Sequence, residues 1–284
     1  MKNIDDTLEA EFALRRRHPE REQIYDGHKR RSAALRERGP SLLDVRYGND
    51  PRCLLDIFPA GDGAPVLFFI HGGYWRALDK SYVSFVAEQY QLSGITVVMP
   101  SYGLAPGVRI GQIVDQIRAA FCFAVDQLMP SRVVVAGHSA GGQLAAMLAL
   151  DQAENGAGPI AALVGISGAF DLRPLLQTSI NDDLGMTAKE AEHGSPQLRL
   201  LSLPADAPLV PLIGIAGGEE TQGFKQWTAD FVAAWRSRGA TASSFEIAGR
   251  NHFNILDFVA EPDNEIFAAI CQAAKGQARR DGAP

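Results

Sequence analysis

The 284-residue sequence predicts an α/β fold: a mostly parallel central sheet with helices on both faces, an N-terminal helical arm and a small cap insertion. Two observations carry that prediction. From Val66 onward, short apolar runs bounded by turn residues recur, as in strands buried on both faces. Between them lie amphipathic stretches of helical period, and strand alternating with helix implies a parallel sheet covered on two sides. With 46% hydrophobic and 21% charged residues, a chain of this length closes a sizeable core as one large domain.

Residues 1–40 read as the arm. RRRHPERE and HKRRSAALRER mix both signs of charge, ten Lys/Arg against eight Asp/Glu over the forty residues, which fits exposed helix better than a binding tail. Phe12, Leu14, Ile24, Tyr25 and Leu35 are the side chains able to fasten it to a body. Residues 41–284 form that body. LLDVRY from Leu42 and LLDIF from Leu54, separated by the turn-prone YGNDPR, make a strand pair. Buried strands follow at VLFFI from Val66, ITVVM from Ile95, RVVVAG from Arg132, ALVGIS from Ala162 and LVPLIGIA from Leu209, and the alternating SSFEIAG supplies the last. Helices are expected over Tyr82–Leu92, Ile113–Leu128, Gln143–Gln152, Phe224–Arg238 and Glu265–Ala274. Between Asp171 and Ala207 the rhythm breaks into short helical pieces without a buried strand, which suits a cap over a site. The tail GQARRDGAP is expected to fray.

Composition narrows the function. A balance of 27 Lys+Arg against 33 Asp+Glu leaves a net charge of -6, and no basic run is dense enough to follow a phosphate backbone. Nucleic acid is therefore not an expected partner. Cys53, Cys122 and Cys271 are odd in number and far apart, matching neither a disulfide framework nor a paired metal or redox site, and point to a reducing compartment. The start MKNIDDTLEAEF lacks the apolar centre of a signal peptide, and no apolar run approaches the ~20 residues of a membrane span. The expectation from composition is a soluble, cytoplasmic protein with no membrane partner; assembly as a homodimer stays open.

The sharpest motif is Gly137-His138-Ser139-Ala140-Gly141, which follows RVVVA and opens the helical GQLAAMLAL. A strand-to-helix turn of this kind needs small neighbours so that the serine hydroxyl stands clear above the sheet. Ser139 is the candidate nucleophile; a helix-capping serine in a Gly-rich turn is the bland alternative. His71-Gly72-Gly73-Tyr74-Trp75 follows VLFFI upstream. Acyl transfer builds negative charge on one oxygen, and paired glycines let backbone N–H groups meet it. Gly72 and Gly73, with the N–H of Ala140, form the candidate oxyanion hole.

A serine needs a histidine to take its proton and a carboxylate to orient that histidine. His18 and His28 lie in the arm, His71 in the oxyanion loop, His138 inside the elbow and His193 in the cap. His252, in GRNHFNIL after the last strand, remains as the general base. The acid belongs after the penultimate strand, where Glu219 and Glu220 end the apolar run; Glu220 is preferred because one residue more carries its carboxylate over the loop toward His252. Glu219 reads as a helix N-terminal acid. Asp230 lies too far into the next helix, and Asp206 and Asp257 are weaker reserves. Tyr74, Trp75 and Tyr102 are candidates to stack on an aryl ring of the substrate.

With HGGYW, GHSAGG and the late NHF together, the chain resembles the α/β-hydrolase superfamily and, within it, the kynurenine formamidase (arylformamidase) group. The resemblance runs from about Leu42 to Ile270 and is sharpened by SPQLR in the cap and by GGEETQGF and NHFNIL. It implies an α/β-hydrolase fold and hydrolysis of N-formyl-L-kynurenine to kynurenine and formate without metal or organic cofactor. It likewise implies Ser139 as nucleophile, Glu220 as acid and His252 as base. Two departures keep a carboxylesterase as the alternative: Ser101-Tyr102-Gly103-Leu104-Ala105-Pro106 stands where related esterases carry DYRLAP, and Asn254 follows Phe253 where the family commonly has Asp. Arg173, Arg199 and Arg250 are the candidates to bind the amino-acid end of kynurenine. A ligand-binding hydrolase fold without activity is the rival of another class; such proteins lack a triad residue, and all three are available here.

Overall fold

The computed structural model describes residues 4–156 and 158–276, so most of the GQARRDGAP tail lies outside the described residues. Eight strands among them form one sheet: β1 (Leu42–Arg46), β2 (Leu54–Phe58), β3 (Val66–Ile70), β4 (Thr96–Pro100), β5 (Val133–His138), β6 (Ile160–Ile166), β7 (Leu212–Gly217) and β8 (Ala242–Ile247). Their order across the sheet is β1-β2-β4-β3-β5-β6-β7-β8. β1 and β2 pair antiparallel at one edge, β2 runs antiparallel to β4, and every later pairing is parallel. The expected mostly parallel sheet is what the chain forms.

Side chains alternate across a strand with period two, so each central strand feeds two cores. Phe68, Ile70, Val135 and Leu163 face one core; Leu67, Phe69, Val134 and Val164 face the other. The helices are α1 (Asp6–Phe12), α2 (Arg21–Arg38), α3 (Ala87–Leu92), α4 (Ile110–Leu128), α5 (Ala140–Asn155), α6 (Ile180–Leu184), α7 (Ala188–His193), α8 (Pro196–Ser202), α9 (Gln222–Ser237), α10 (Ile255–Ala260) and α11 (Glu265–Lys275). The first core takes α4, α5 and α9, whose buried side chains recur at three- and four-residue steps: Ile113, Ile117, Ala120 and Ala124 on α4, and Phe224, Trp227, Phe231 and Trp235 on α9. The second takes α3, α10 and α11. Helices thus cover both faces.

Several boundaries differ from expectation: α5 runs Ala140–Asn155 where Gln143–Gln152 was expected, β7 starts at Leu212 and not at Leu209, and two further differences have a local reason. The helix expected from Tyr82 is broken into 3-10 turns at Lys80–Tyr82 and Ser84–Val86 before α3 begins. There the Phe85 N–H donates 3.0 Å to the Ser32 hydroxyl of α2 and not to the helix ladder. α4 begins at Ile110, ahead of Ile113, because Gln112 turns back to accept from the Arg109 N–H at 2.8 Å and caps the first turn.

Residues 4–40 lie on the body. Phe12 stacks on Trp227 at 4.2 Å, and Phe12, Leu14 and Leu35 are buried while Ile24 and Tyr25 are partly so. Arg36 pairs with the fully buried Asp56 of β2, and Lys80 reaches Asp44 at 2.5 Å and Asp56 at 3.3 Å, a charge cluster that pins α2 to the antiparallel edge. His28 and Arg31 hold Asp257 of α10 at 2.9 and 2.6 Å. Residues 171–207 carry a 3-10 turn (Arg173–Gln177) and α6, α7 and α8, with no strand.

Candidate active site

In a parallel sheet, loops at the C-terminal ends of adjacent strands converge. Here the ends of β3, β5, β6 and β7, four neighbours, deliver His71–Trp75, Ser139, Ser167 and Glu220, and the end of β8 delivers His252. Ser139 sits between β5 and α5 at φ 56 and ψ -118, a conformation that stores strain in a non-glycine residue. The glycines beside it are required by contact. A Cβ on Gly137 would stand 2.0 Å from the Gly141 carbonyl, and one on Gly141 would stand 2.1 Å from the Ile70 carbonyl of β3. Small residues therefore let the elbow turn tightly against its neighbour strand.

Glu220 is buried, and its carboxylate accepts three hydrogen bonds. Oε2 accepts from His252 Nδ1 at 2.9 Å, while Oε1 accepts from the Gly217 N–H at 2.7 Å and the Ser167 hydroxyl at 2.5 Å. Nδ1 of His252 is thereby the protonated nitrogen and Nε2 the proton acceptor. His138, next to Ser139, donates from Nε2 to the His252 carbonyl at 2.8 Å, and the two rings lie 4.8 Å apart. Burial, reinforced by His252, holds His138 well below the ordinary imidazole range, so it stays a neutral peg. Phe224 closes the other side of His252 at 4.4 Å. No hydrogen bond joins the Ser139 hydroxyl to His252 among the described residues; such bonds often close only around substrate.

The candidate oxyanion loop, His71–Trp75, is held from behind. His71 is fully enclosed, stacks on Tyr102 at 4.3 Å and donates from Nδ1 to the Gly72 carbonyl at 2.7 Å; burial, the largest effect, lowers its pKa to about 4. The Tyr102 hydroxyl donates to the His71 carbonyl at 2.9 Å. Gly73, Tyr74 and Trp75 have φ of 112, 50 and 54, a left-handed run. The N–H groups of Gly72, Gly73 and Ala140 donate to no other described residue, and a Cβ on Gly72 would stand 3.1 Å from the Ser139 Cβ. Three N–H donors are thus left without a partner among the described residues, those of Gly72 and Ala140 beside the serine.

Several expectations need correction. Trp75 and Tyr102 are fully buried, with Trp75 Nε1 donating to Gln143 and the Tyr102 hydroxyl engaged as above; they brace the loop and offer no ring to a substrate. Tyr74 is partly exposed, but its hydroxyl donates 2.6 Å to the Phe12 carbonyl of α1. Each of the three candidate arginines is already paired with a carboxylate of this chain: Arg173 with Asp171, Arg199 with Asp151 and Glu154, and Arg250 with Glu261. Arg173 and Arg199 instead line a cavity of about 900 Å³ bordered by Arg109, Arg118, His193 and Gly194, whose lining does not include Ser139, Glu220 or His252. Of the reserve acids, Asp206 is exposed and Asp257 is taken by His28 and Arg31; Glu219 is exposed. Sequence reasoning missed the arm as a wall of the site. Glu11 accepts from Gly223 N–H at 2.5 Å, the Thr221 hydroxyl donates to the Glu11 carbonyl at 2.8 Å, and His18 meets Phe253 edge-on at 5.3 Å. Among the described residues no group of three or more His, Cys, Asp or Glu could hold a metal ion, and no helix is long and apolar enough to cross a membrane.

A strained serine after a central strand beside a carboxylate-held histidine recurs on unrelated folds, so the family is decided by the fold that carries it. A family model described as the alpha/beta hydrolase fold matches residues 67–247. The chain belongs to that family. As a hydrolase it is similar to the kynurenine formamidase of Danio rerio, with 29% identity over 76% of this chain and 76% of that protein. It is also similar to the isoprenylcysteine alpha-carbonyl methylesterase of Arabidopsis thaliana, with 27% identity over 77% of this chain and 57% of that protein. A solved Silicibacter sp. TM1040 structure, described as a candidate thioesterase, superposes with a TM-score of 0.77 at 32% identity, covering 87% of this chain and 92% of that one.

Proposed function

We propose that this hydrolase cleaves aryl formamides of the N-formyl-L-kynurenine type to an aryl amine and formate through an acyl-enzyme on Ser139. The observation that carries the chemistry is the Glu220–His252 hydrogen bond of 2.9 Å placed beside the strained Ser139 turn. His252 Nε2 takes the Ser139 proton as the hydroxyl attacks the formyl carbon. The oxyanion meets the N–H groups of Gly72, Gly73 and Ala140, and Glu220 balances the imidazolium charge. Imidazolium then protonates the leaving amine, and water activated by the same base releases formate and frees the serine. The substrate class is supported by the kynurenine formamidase relatives. A cytoplasmic setting and assembly as a homodimer belong to the same proposal, the latter checked by sedimentation.

The methylesterase relatives and esterase-like structures favour a second reading, a carboxylesterase for short-acyl or aryl esters. Comparing kcat/KM of the purified protein on N-formyl-L-kynurenine and on a short-chain nitrophenyl ester separates them. A preference for the formamide supports the first reading, and turnover of the ester alone replaces it with the second. A Ser139→Ala variant that keeps most activity would overturn both.

A further inference from the structure

The two halves of the candidate oxyanion hole sit on different elements: Gly72 and Gly73 on the loop after β3, Ala140 on the first turn of α5. Something must fix one against the other, because donors misplaced by about 1 Å lose most of their effect. Gln143, one helical turn after Ala140, is fully buried inside a helix whose neighbours are Gly141, Gly142, Leu144, Ala145 and Ala146. Its Oε1 accepts from the Trp75 indole N–H at 3.1 Å, and its Nε2 donates to the Gly194 carbonyl at 3.0 Å, between α7 and α8. A donor at one end and an acceptor at the other permit a single orientation of the amide. Trp75 belongs to the left-handed run Gly73–Trp75, a conformation that persists only when its surroundings hold it.

We propose that Gln143 is the positioning residue of the oxyanion hole, tying the Trp75 end of the loop to the nucleophile helix while the Gly194 carbonyl fixes its amide. The inference rests on the serine-hydrolase reading above. A side chain that serves packing alone is met most cheaply by an apolar residue, whereas a buried amide with both ends bonded specifies geometry. The cap segment that carries Gly194 is thereby part of the frame around the hole, without touching substrate.

The test uses the whole protein and three variants: Gln143→Met, Trp75→Phe, which keeps a ring and deletes the N–H, and the double variant. For each, kcat and KM are measured on the substrate the wild type turns over, with the rate of inactivation by a fluorophosphonate. Each single variant is expected to lose about tenfold to a hundredfold in kcat, with KM within about twofold of wild type and inactivation slowed in parallel. The double variant should lose no more than the worse single, because both singles remove the same Trp75–Gln143 bond and Gln143→Met already removes the Gly194 bond as well. Unchanged kcat, a loss confined to KM, or losses that multiply in the double variant would each overturn the proposal. Should Gln143→Met fail to fold, Trp75→Phe decides alone, since it leaves the Gly194 bond in place. A wild type that neither turns over substrate nor is labelled at Ser139 defeats the serine-hydrolase reading itself; a wild type labelled at Ser139 with variants labelled as fast defeats only the role of Gln143.

Discussion

The three candidates Ser139, Glu220 and His252 come from three loops more than thirty residues apart and were read on different grounds: Ser139 from the tight pattern of its turn, His252 by elimination, Glu220 by its place after the penultimate strand. The elbow admits only small neighbours, as the 2.1 Å approach of a Gly141 Cβ to the Ile70 carbonyl makes plain. Gly141→Ala should accordingly yield little folded protein, read by expression and near-UV circular dichroism; a well-folded, active variant would show that the turn can open. Ser139→Ala should keep the fold and lose on the order of a millionfold in kcat, since it removes only the hydroxyl proposed as the nucleophile. Glu220→Gln should cost about 10⁴-fold by releasing the His252 tautomer, whereas Glu219→Gln should cost almost nothing, because Glu219 is exposed and offers His252 no oxygen. A larger effect at Glu219 would move the acid by one residue. Trp75, Tyr102 and Gln143 were illegible for a common reason. Whether a ring in a loop faces substrate or the core depends on what packs behind it, here His71 for Tyr102 and Gln143 for Trp75.

At the level of elements, strands filled by Val, Ile, Leu and Phe on both faces announced themselves, and the helices of period near 3.6 did so too. Elements whose shape is decided by distant partners did not. The broken turn at Ser84–Val86 follows from Ser32, fifty-three positions upstream of Phe85. The arm is the larger case. Its charge-rich sequence gives weak periodicity, and its attachments reach about 170 to 230 residues along the chain: Glu9 accepts from Ser179 N–H and Oγ, Glu11 from Gly223, and His28 meets Asp257. Phe12 is the apolar centre of this docking, stacked on Trp227 and edge-on to Phe224 at 5.8 Å. Phe12→Ala should therefore destabilise by about 3 kcal/mol in urea unfolding. It should also lower kcat several-fold, because Phe224 packs directly on His252. Wild-type stability with lowered activity would mean that Phe12 acts on the site without holding the arm.

Across the whole molecule the loops that meet at the C-terminal edge of the sheet enclose two neutral imidazoles, His71 and His138, so stability and site are linked through pH. The folded His71 value is lowered to about 4 from an ordinary 6.5, set first by burial, opposed by its bond to the Gly72 carbonyl and by Asp79, and pushed down a little further by Arg52 and Lys80. His138 is displaced in the same direction by burial and by His252. As pH falls below 6.5, the unfolded chain takes up these protons before the folded one does. Stability is therefore complete above pH 6.5 and declines toward pH 4, by roughly 3 kcal/mol for a single shift of the His71 size. Carboxylates with lowered values act in a separate window: Glu190, held at about 2 chiefly by Arg109, begins to cost stability only as pH falls below its ordinary value of 4.5. Urea midpoints at pH 7.5 and pH 5 isolate the imidazole window. His71→Asn, whose amide can still donate to the Gly72 carbonyl, should lose about 2 kcal/mol less than wild type over that interval. An identical pH dependence in the two proteins would mean that His71 takes up its proton without loosening the loop, and that the strain at Gly73–Trp75 is held by Gln143, Tyr74 and Tyr102 alone.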